Sequence, residues 1–225
     1  MSTSSPIPEF MCLQVPDAAR AGEAIAAAET FVREAGGMLL ASGGYDGVEL
    51  LEQGTPAAAV LIARWPSRDA FDAGWKEFGA GLEAAASAAS GSLLVAVPGL
   101  PVEGLPEQPA IPTVASVVPP ASAEPPTYML IQGRVFDQSR IDQYRDIILP
   151  MIAERGAYYI VFSLLPGEVR ALVGAWTEQI FAISRWATHA SAHDFWYCER
   201  YQKLAIPTRT GAGAFLVHLL RGERG

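Results

Sequence analysis

The second half of the chain alternates between two hydrophobic spacings, a period of two that predicts strands and a period near 3.6 that predicts helices. After Gln138, the residues Ile141, Ile148 and Ile152 recur at helical spacing, and Gly156 stands where helices commonly stop. The pattern predicts the element order β-α-β-β-α-β. The predicted strands cover 128–136, 158–165, 171–176 with 180–186, and 214–220, and the predicted helices cover 138–155 and about 188–204, the second capped by Thr188.

The first half of the chain carries the same pattern, with matching segments in the same order. The separation between matching segments grows only from 118 to 122 residues, as short loop insertions would produce. The first copy therefore has predicted helices over 18–35 and 67–89. The matching segments are FMCLQ from Phe10 with YMLIQ from Tyr128, EAGGMLL from Glu34 with ERGAYYI from Glu154, Arg64-Trp65 with Arg185-Trp186, and Gly91 with Gly213.

A proline-rich segment separates the two copies. Residues 98–126 contain nine of the 17 prolines and little charge, so they cannot form a helix or a central strand. We expect an extended, semi-rigid spacer that contributes little to the core. The predicted organisation is a first repeat over 8–97, a linker over 98–126 and a second repeat over 127–222.

The order β-α-β-β-α-β is the split β-α-β arrangement of ferredoxin-like folds, in which the strands lie in the order 4-1-3-2. Such a sheet has helices on one face only, and its other apolar face needs cover. Two copies in one chain can provide this cover by facing each other. The sequence thus predicts an α+β protein in which two ferredoxin-like units form an intramolecular pseudo-dimer, with Trp65 and Trp186 at equivalent core positions.

The second copy, residues 128–222, resembles the domain-of-unknown-function family 1330 of the dimeric α/β-barrel superfamily. Its Trp186-Ala187-Thr188, Phe195-Trp196 and Tyr201-Gln202 are spaced like the family's Phe-Pro-Ser, Trp-Tyr and Tyr-Gln. The first copy keeps Trp65-Pro66-Ser67 but has Ala80-Gly81 in place of Tyr-Gln. The resemblance implies a tandem duplication folded as an intramolecular dimeric α/β-barrel. Relatives in the superfamily include cofactor-free oxygenases, muconolactone-type isomerases, haem-degrading proteins and stress proteins, which share a cavity between sheet and helices.

Composition limits the possible partners. Half of the residues are hydrophobic and 18% are charged, so the chain can bury a substantial core. The formal net charge of −8 and the lack of a basic stripe argue against nucleic acid and against a membrane surface. No apolar run approaches the roughly 18 residues of a membrane span, and no signal-peptide pattern is present. Cys12 and Cys198 match no metal or redox spacing, so we expect free thiols and a cytoplasmic location.

Four polar residues interrupt the apolar strands of the second copy, namely Gln132, Arg134, Arg185 and His218. Strand alternation places each of them on one face of its strand among apolar neighbours. Polar side chains are costly to bury unless they are paired. We therefore expect these four to converge on a polar cavity or on one another.

The comparison between the copies divides these four residues into two that have a polar counterpart in the first copy and two that do not. Arg134 and His218 have no polar counterpart, so an active site is expected in the cavity of the second copy. The alternative is that Arg134 pairs with a carboxylate and that His218 is a satisfied core histidine. The counterparts in the first copy are Arg64 for Arg185, Gln14 for Gln132, Pro16 for Arg134 and Ala96 for His218.

The predicted chemistry is proton transfer coupled to bond cleavage or isomerisation. His218 or a cavity tyrosine would act as general base or acid. Arg134 and Arg185 would hold an anionic group or a developing oxyanion. The predicted substrate-binding residues are Gln132, Tyr158 and Trp196, the last two as flat walls for an aromatic ring.

Two histidines form a candidate metal pair. His189 and His193 are spaced i and i+4 at the start of a helix, a spacing at which two imidazoles can bind one metal. No third ligand follows at a recognisable interval, so we expect both on a solvated helix surface, with no metal. The sequence has no glycine-rich phosphate loop and no nucleophile elbow, and we predict no cofactor.

The leading hypothesis is a cytoplasmic, cofactor-independent enzyme of the lyase or isomerase type, acting on a small apolar, aromatic or phenolic metabolite. One alternative is a non-catalytic small-molecule binding or stress-response protein with the same cavity. Another is a haem-handling protein that uses one of the three histidines. In each case the partner is a small molecule, and the whole chain can form a homodimer.

Overall fold

The computed structural model describes residues 6–44, 47–52, 54, 57–103, 105 and 110–223. Its first half has the predicted order of strands and helices, with one additional short strand. These elements are β1 (Glu9–Val15), α1 (Ala21–Glu34), β2 (Met38–Gly43), β3 (Val48–Leu50), β4 (Ala59–Trp65), α2 (Arg68–Ala88) and β5 (Leu93–Pro98).

The second half repeats this order, except that its last helical segment is interrupted. Thr188 caps that segment as predicted, since its hydroxyl accepts a hydrogen bond from the Ser191 N–H at 3.0 Å. The elements are β6 (Thr127–Val135), α3 (Gln138–Glu154), β7 (Tyr158–Ser163), β8 (Arg170–Val173), β9 (Ile180–Trp186), α4 (His189–Tyr197), a π-helical turn (Tyr201–Ala205), α5 (Ile206–Arg209) and β10 (Gly213–Arg221).

The strands form two antiparallel five-stranded sheets, β2-β4-β1-β5-β8 and β3-β10-β6-β9-β7. Four strands of each sheet come from one half of the chain and follow the predicted order 4-1-3-2. The fifth strand of each sheet comes from the other half. The expectation that 171–176 joins the middle strands of its own copy is therefore wrong, because β8 pairs with β5 in the first sheet. In return, β3 pairs with β10 in the second sheet.

Strand alternation divides the apolar side chains among three cores. One core lies between the first sheet and helices α1 and α2, and another between the second sheet and its helices. The third core combines residues of both sheets, so the sheets face each other across it. Its members include Phe10, Cys12, Tyr128, Leu130 and Phe181.

Two tryptophans occupy corresponding places in the helix-facing cores. Trp65 is the last residue of β4, and its indole N–H donates to the Ala35 carbonyl at 2.9 Å. Trp186 is the last residue of β9, and its indole N–H donates to the Ser184 hydroxyl at 2.9 Å. Both are among the largest fully buried side chains, so Trp65 fixes the end of β4 and Trp186 the end of β9 against the helices.

The linker packs more closely than its composition suggests. Leu100 and Ile111 are buried in the core of the second half. The chain also bonds to β7, where the Leu100 N–H donates to the Ile160 carbonyl and the Tyr159 N–H donates to the Pro112 carbonyl, each at 2.9 Å. The expectation of a spacer with little core contact is thus wrong for these residues, because their apolar side chains find cover at a sheet edge. Linker residues 104 and 106–109 lie outside the described part of the chain.

Across the described residues, no helix is both long and apolar enough to cross a membrane.

Candidate functional site

A cavity of about 490 Å³ lies between the second sheet and its helices. This volume is within the range of small-molecule sites, about 300–1,000 Å³. Its walls come from α3, the helical segment after β9, and the helix-facing side of the strands. Most of the lining is aromatic or aliphatic, including Ile141, Ile148, Phe162, Phe195, Trp196 and Phe215.

Three polar side chains meet at one end of this cavity. Tyr144 of α3 and Tyr201 of the π-helical turn share a hydrogen bond between their hydroxyls at 3.0 Å. Arg209 of α5 is 5% exposed and lies among aromatic rings, with its guanidinium carbon 5.2 Å from the Phe215 centroid and 5.6 Å from the Trp196 centroid. The arrangement places hydrogen-bond donors together in a largely apolar cavity, and we call this group its polar end.

Arg209 is paired across the two halves of the chain. Its Nη2 donates to Oε2 of Glu52 at 2.5 Å, and Glu52 follows the exchanged strand β3. The buried Nε of Arg209 has no hydrogen-bond partner among the described residues. One N–H of this buried cation is therefore unsatisfied within the described part of the chain.

Burial determines the protonation of this polar end. It raises the pKa of Tyr144 and of Tyr201, and only part of this shift is offset by the positive charge of Arg209. Burial also opposes the charge of Arg209, but the nearby tyrosines and Glu52 outweigh it and raise the pKa of the guanidinium. At neutral pH both tyrosines are therefore protonated donors and Arg209 is a cation.

The interruption of the last helical segment positions Tyr201 and Arg209 at the cavity. In the second half, α4 ends at Tyr197 and a wider π-helical turn begins at Tyr201, a kind of turn often found at functional sites. In the first half, α2 is a continuous helix of 21 residues with Ala80 at the position that matches Tyr201. Tyr144, Tyr201 and Arg209 therefore all lie in the second half, and Glu52 is the contribution of the first half to this polar end.

Of the six predicted site residues, Trp196 lines this cavity. Tyr158 and Arg185 pair across β7 and β9, with the Arg185 guanidinium carbon 5.8 Å from the Tyr158 ring centroid. The neighbouring residue Tyr159 lines the cavity, so Tyr158 points to the opposite face of the sheet. The binding role of Tyr158 and the catalytic role of Arg185 stay predictions, without contact to this cavity.

His218 also lies on the face opposite the cavity. It is fully buried, and its Nε2 accepts a hydrogen bond from the Ala57 N–H at 3.5 Å, while Nδ1 has no partner among the described residues. Burial lowers the pKa of the imidazole to about 4, so it is neutral at pH 7. This geometry fits the alternative of a core histidine better than a general base.

Arg134 and His218 are not brought together. Arg134 pairs across the strands with Ala214, and His218 pairs with Leu130, so the two lie about 13 Å apart along the sheet. Arg134 is half exposed and makes two hydrogen bonds of 3.1 Å to Glu178, which itself lines the cavity. The expectation of one shared cavity for Arg134 and His218 is therefore wrong, since Arg134 approaches the cavity only through Glu178.

Gln132 lies on the face of the sheet opposite the cavity. It lines a second pocket of about 380 Å³, together with Leu93 of the first half. Its Nε2 is buried without a partner among the described residues. Its predicted substrate-binding role therefore concerns a different space from the cavity that Trp196 lines.

The candidate metal pair meets a carboxylate from the other half. Nε2 of His189 lies 3.0 Å from Glu49 Oε2, and Nε2 of His193 lies 3.6 Å from Glu49 Oε1. Within the described ranges, no group of three or more His, Cys, Asp or Glu side chains is arranged to hold a metal ion. None of the three histidines lines the cavity, so the haem alternative finds no histidine ligand there.

Sequence reasoning missed Arg209 and Glu52 as site residues. The available signal was the Tyr-Gln element at Tyr201, which the resemblance singles out and which the first copy lacks. Arg209 gives no comparable signal, because it lies in a short polar segment between two apolar ones. Its contact with Glu52, 157 residues away, depends on the strand exchange.

Residues 126–222 match the family described as Domain of unknown function (DUF1330). This match confirms the resemblance found for the second copy. Among curated proteins, none matches the chain.

Solved structures share the fold over nearly the whole chain. An anthrone oxidase-like protein has a TM-score of 0.54 at 12% identity, covering 99% of this chain and 94% of the other. A protein provisionally called a monooxygenase, from Fusobacterium nucleatum subsp. nucleatum, has a TM-score of 0.50 at 9% identity, covering 100% and 94%. A mutant chlorite dismutase from Candidatus Nitrospira defluvii has a TM-score of 0.48 at 11% identity, covering 99% of this chain and 93% of the other. The likeness shows a fold of the dimeric α/β-barrel type and leaves the activity open.

Proposed function

We propose that this chain is an enzyme that binds a small, uncharged aromatic ketone or phenol and stabilises negative charge on its oxygen during proton transfer. The observation that carries the proposal is the polar end of the cavity, where a buried Arg209 N–H without a partner lies beside the paired hydroxyls of Tyr144 and Tyr201. Donors placed in a buried, apolar site favour an oxygen on which charge develops.

The walls select a flat ligand. Phe162, Phe195, Trp196 and Phe215 line the cavity, and aromatic groups pack favourably against one another. A cavity of about 490 Å³ accommodates a molecule of two or three fused rings. This supports the predicted aromatic substrate class.

Glu178 is the candidate base. Among the described residues that line the cavity, it is the one carboxylate. In the proposed step it takes a proton from carbon beside the ligand's carbonyl, and the electron pair moves onto the oxygen held by Arg209 and Tyr201. Return of the proton to another carbon gives an isomer. Arg134 acts as a positioning residue for Glu178, through the two hydrogen bonds of 3.1 Å.

Hydrogen exchange tests this proposal without knowledge of the natural substrate. The protein is incubated with 2-tetralone in D₂O, and loss of the signal of the α-protons is followed by NMR. We expect exchange above the buffer rate, reduced by about 100-fold or more in Arg209→Met, because one oxyanion donor contributes that much to catalysis. Arg200→Met serves as control, since Arg200 makes a surface pair with Glu154 outside the cavity.

The same experiment separates the enzyme from the carrier alternative. Binding of 2-tetralone by calorimetry with no exchange above the buffer rate favours a non-catalytic binding protein with this cavity. If the ketone neither binds nor exchanges, or if the Arg209 variant behaves like the wild type, the proposed site is wrong.

We also infer that the two repeats, 8–97 and 127–222, form an intramolecular dimeric α/β-barrel joined by the linker 98–126. The exchanged strands β3 and β8 and the core shared between the sheets support this reading. Homodimerisation of the whole chain and a cytoplasmic location stay predictions from the sequence.

A further inference from the structure

The exchanged strand of the first half leads directly to the polar end of the cavity. Strand β3 pairs with β10 at Leu50 and His218, and the next residue continues the pairing, since the Leu51 N–H donates to the Val217 carbonyl at 2.9 Å. Val217 lines the cavity. The following residue, Glu52, is thus delivered by backbone pairing to the place where it meets Arg209.

The contact of Glu52 with Arg209 sets the electrical charge of the polar end. Arg209 is 95% buried, and Glu52 is the carboxylate that contacts it among the described residues. Tyr144 and Tyr201 are uncharged because burial raises the pKa of both hydroxyls. The polar end therefore has one positive and one negative charge, in contact at 2.5 Å, and Tyr144, Tyr201 and Arg209 are among the residues that line the cavity.

We propose that Glu52 is a specificity-determining residue that makes the cavity select uncharged oxygen ligands over anionic ones. A carboxylate that enters the cavity loses its hydration and meets a cation whose charge Glu52 already balances. An uncharged ketone or phenol oxygen gives up less hydration and can accept from the Arg209 N–H and a tyrosine hydroxyl. This inference rests on the proposed function and names the charge class of its ligand.

A pair of matched probes measures the selectivity. 2-Naphthol is uncharged at pH 7 and 2-naphthoate is an anion, and both carry one oxygen group on the same two-ring body. Calorimetry with the full chain is expected to show naphthol binding at least about tenfold more tightly than naphthoate, a difference on the scale of one uncompensated charge interaction.

The test variant is Glu52→Gln, which removes the charge and keeps the shape. We expect the ratio of the two affinities to shift at least about tenfold toward naphthoate, because the guanidinium charge is no longer balanced. Glu154→Gln removes a carboxylate from a surface pair with Arg200 and is expected to leave the ratio unchanged. An unchanged ratio in folded Glu52→Gln overturns the inference.

Two further variants keep the test decisive. Glu52→Asp retains the charge and is expected to retain the wild-type ratio, even if its contact with Arg209 is weaker. If Glu52→Gln does not fold, the double variant Glu52→Leu/Arg209→Met removes both charges and is expected to bind naphthoate no better than the wild type does. Better naphthoate binding by this double variant contradicts the role of the charge pair.

The failure of this inference differs from the failure of the proposed function. If Arg209→Met weakens naphthol binding while Glu52→Gln leaves the ratio unchanged, the cavity is the site and Glu52 does not set its specificity. If Arg209→Met changes neither affinity, the cavity is not the site, and both proposals are wrong.

Discussion

The imidazole of His218 lies between the two sheets with no exposed surface. Its pKa falls from the ordinary value of 6.5 to about 4 because burial disfavours the charged form. The unfolded chain therefore takes up a proton near pH 6.5 that the folded chain resists until about pH 4. The stability contributed by neutral His218 is complete above pH 6.5 and is lost as the pH falls toward 4.

We predict that this residue accounts for a loss of about 1 kcal/mol in the free energy of unfolding between pH 6 and pH 5. Urea denaturation at pH 5, 5.5, 6 and 7 measures it. The variant His218→Leu cannot titrate, so its stability is expected to change less over this range, whatever its absolute value. Parallel pH profiles for the two proteins would show that His218 is not buried in neutral form.

The sequence predicted which residues share a face more reliably than which face holds the site. Alternation at a period of two placed Gln132 and His218 among apolar neighbours, and the neighbours Tyr128, Leu130 and Leu220 lie in the core between the sheets. The period carries no information on what covers each face, so the polar residues could not be assigned to the cavity or to the sheet interface. The cavity donors Tyr144 and Arg209 lie on helices, to which strand alternation does not apply.

At the scale of single elements, two glycines offer a direct measure of the linker's packing. Gly36 and Gly156 end α1 and α3 at matching positions, and both have φ near +65°. A Cβ at Gly36 meets nothing within 4 Å. A Cβ at Gly156 meets the Val118 carbonyl oxygen and the Pro120 ring, each at 2.6 Å. The two glycines have the same left-handed backbone conformation. Of the two, only Gly156 lies against the linker.

We predict that Gly36→Ala lowers the free energy of unfolding by about 1–2 kcal/mol through left-handed strain alone. Gly156→Ala adds the cost of displacing the linker and is expected to lose about 1–3 kcal/mol more. Urea denaturation of the two variants gives the difference. Equal losses would mean that the linker moves away freely.

The exchanged strand β8 is anchored by an ion pair as well as by backbone pairing. Arg170 lies 2.8 Å from the carboxylate of Glu9 on β1 and 2.9 Å from that of Asp72 on α2. Glu9 is only 1% exposed, so loss of Arg170 would leave this carboxylate buried without its ion-pair partner. Removal of one partner from a buried pair is far more costly than loss of a surface pair.

We predict that Arg170→Met destabilises the chain by about 2–4 kcal/mol, somewhat less than a fully buried pair because about a quarter of Arg170 is exposed. The control is Arg20→Met, which removes a surface pair with Glu23 and is expected to change stability by less than about 1 kcal/mol. Thermal and urea unfolding measure both. A small effect of Arg170→Met would show that backbone pairing alone holds β8 in place.

At the scale of the whole molecule, the sequence predicted a mixed α+β fold and the strand order 4-1-3-2 within each half. It did not predict the exchange of β3 and β8. Both are short, with three and four residues, and their spacing does not indicate which sheet they join. The exchange follows from the need to cover sheet edges, which becomes apparent only when both sheets are present. The contact between Glu52 and Arg209 could not be predicted either, because Glu52 reaches Arg209 only through the exchanged strand β3.

The exchange has a consequence for the integrity of the chain. Each sheet contains a strand from the other half, and the core between the sheets takes residues from both, including Phe10, Val95, Tyr128 and Leu130. A half on its own would lose one strand and expose one apolar sheet face to water. An apolar sheet face that is exposed to water leads to association or aggregation.

We predict that the two halves stay together after the linker is cut. A protease site inserted between Ser122 and Ala123, which are exposed, allows cleavage of the folded protein. The fragments are expected to elute as one species in native size-exclusion chromatography and to separate only in denaturant, because the exchanged strands and the shared core do not depend on the linker. The second fragment expressed alone is expected to aggregate. Two separate, folded, monomeric fragments after cleavage would contradict the interlocked arrangement.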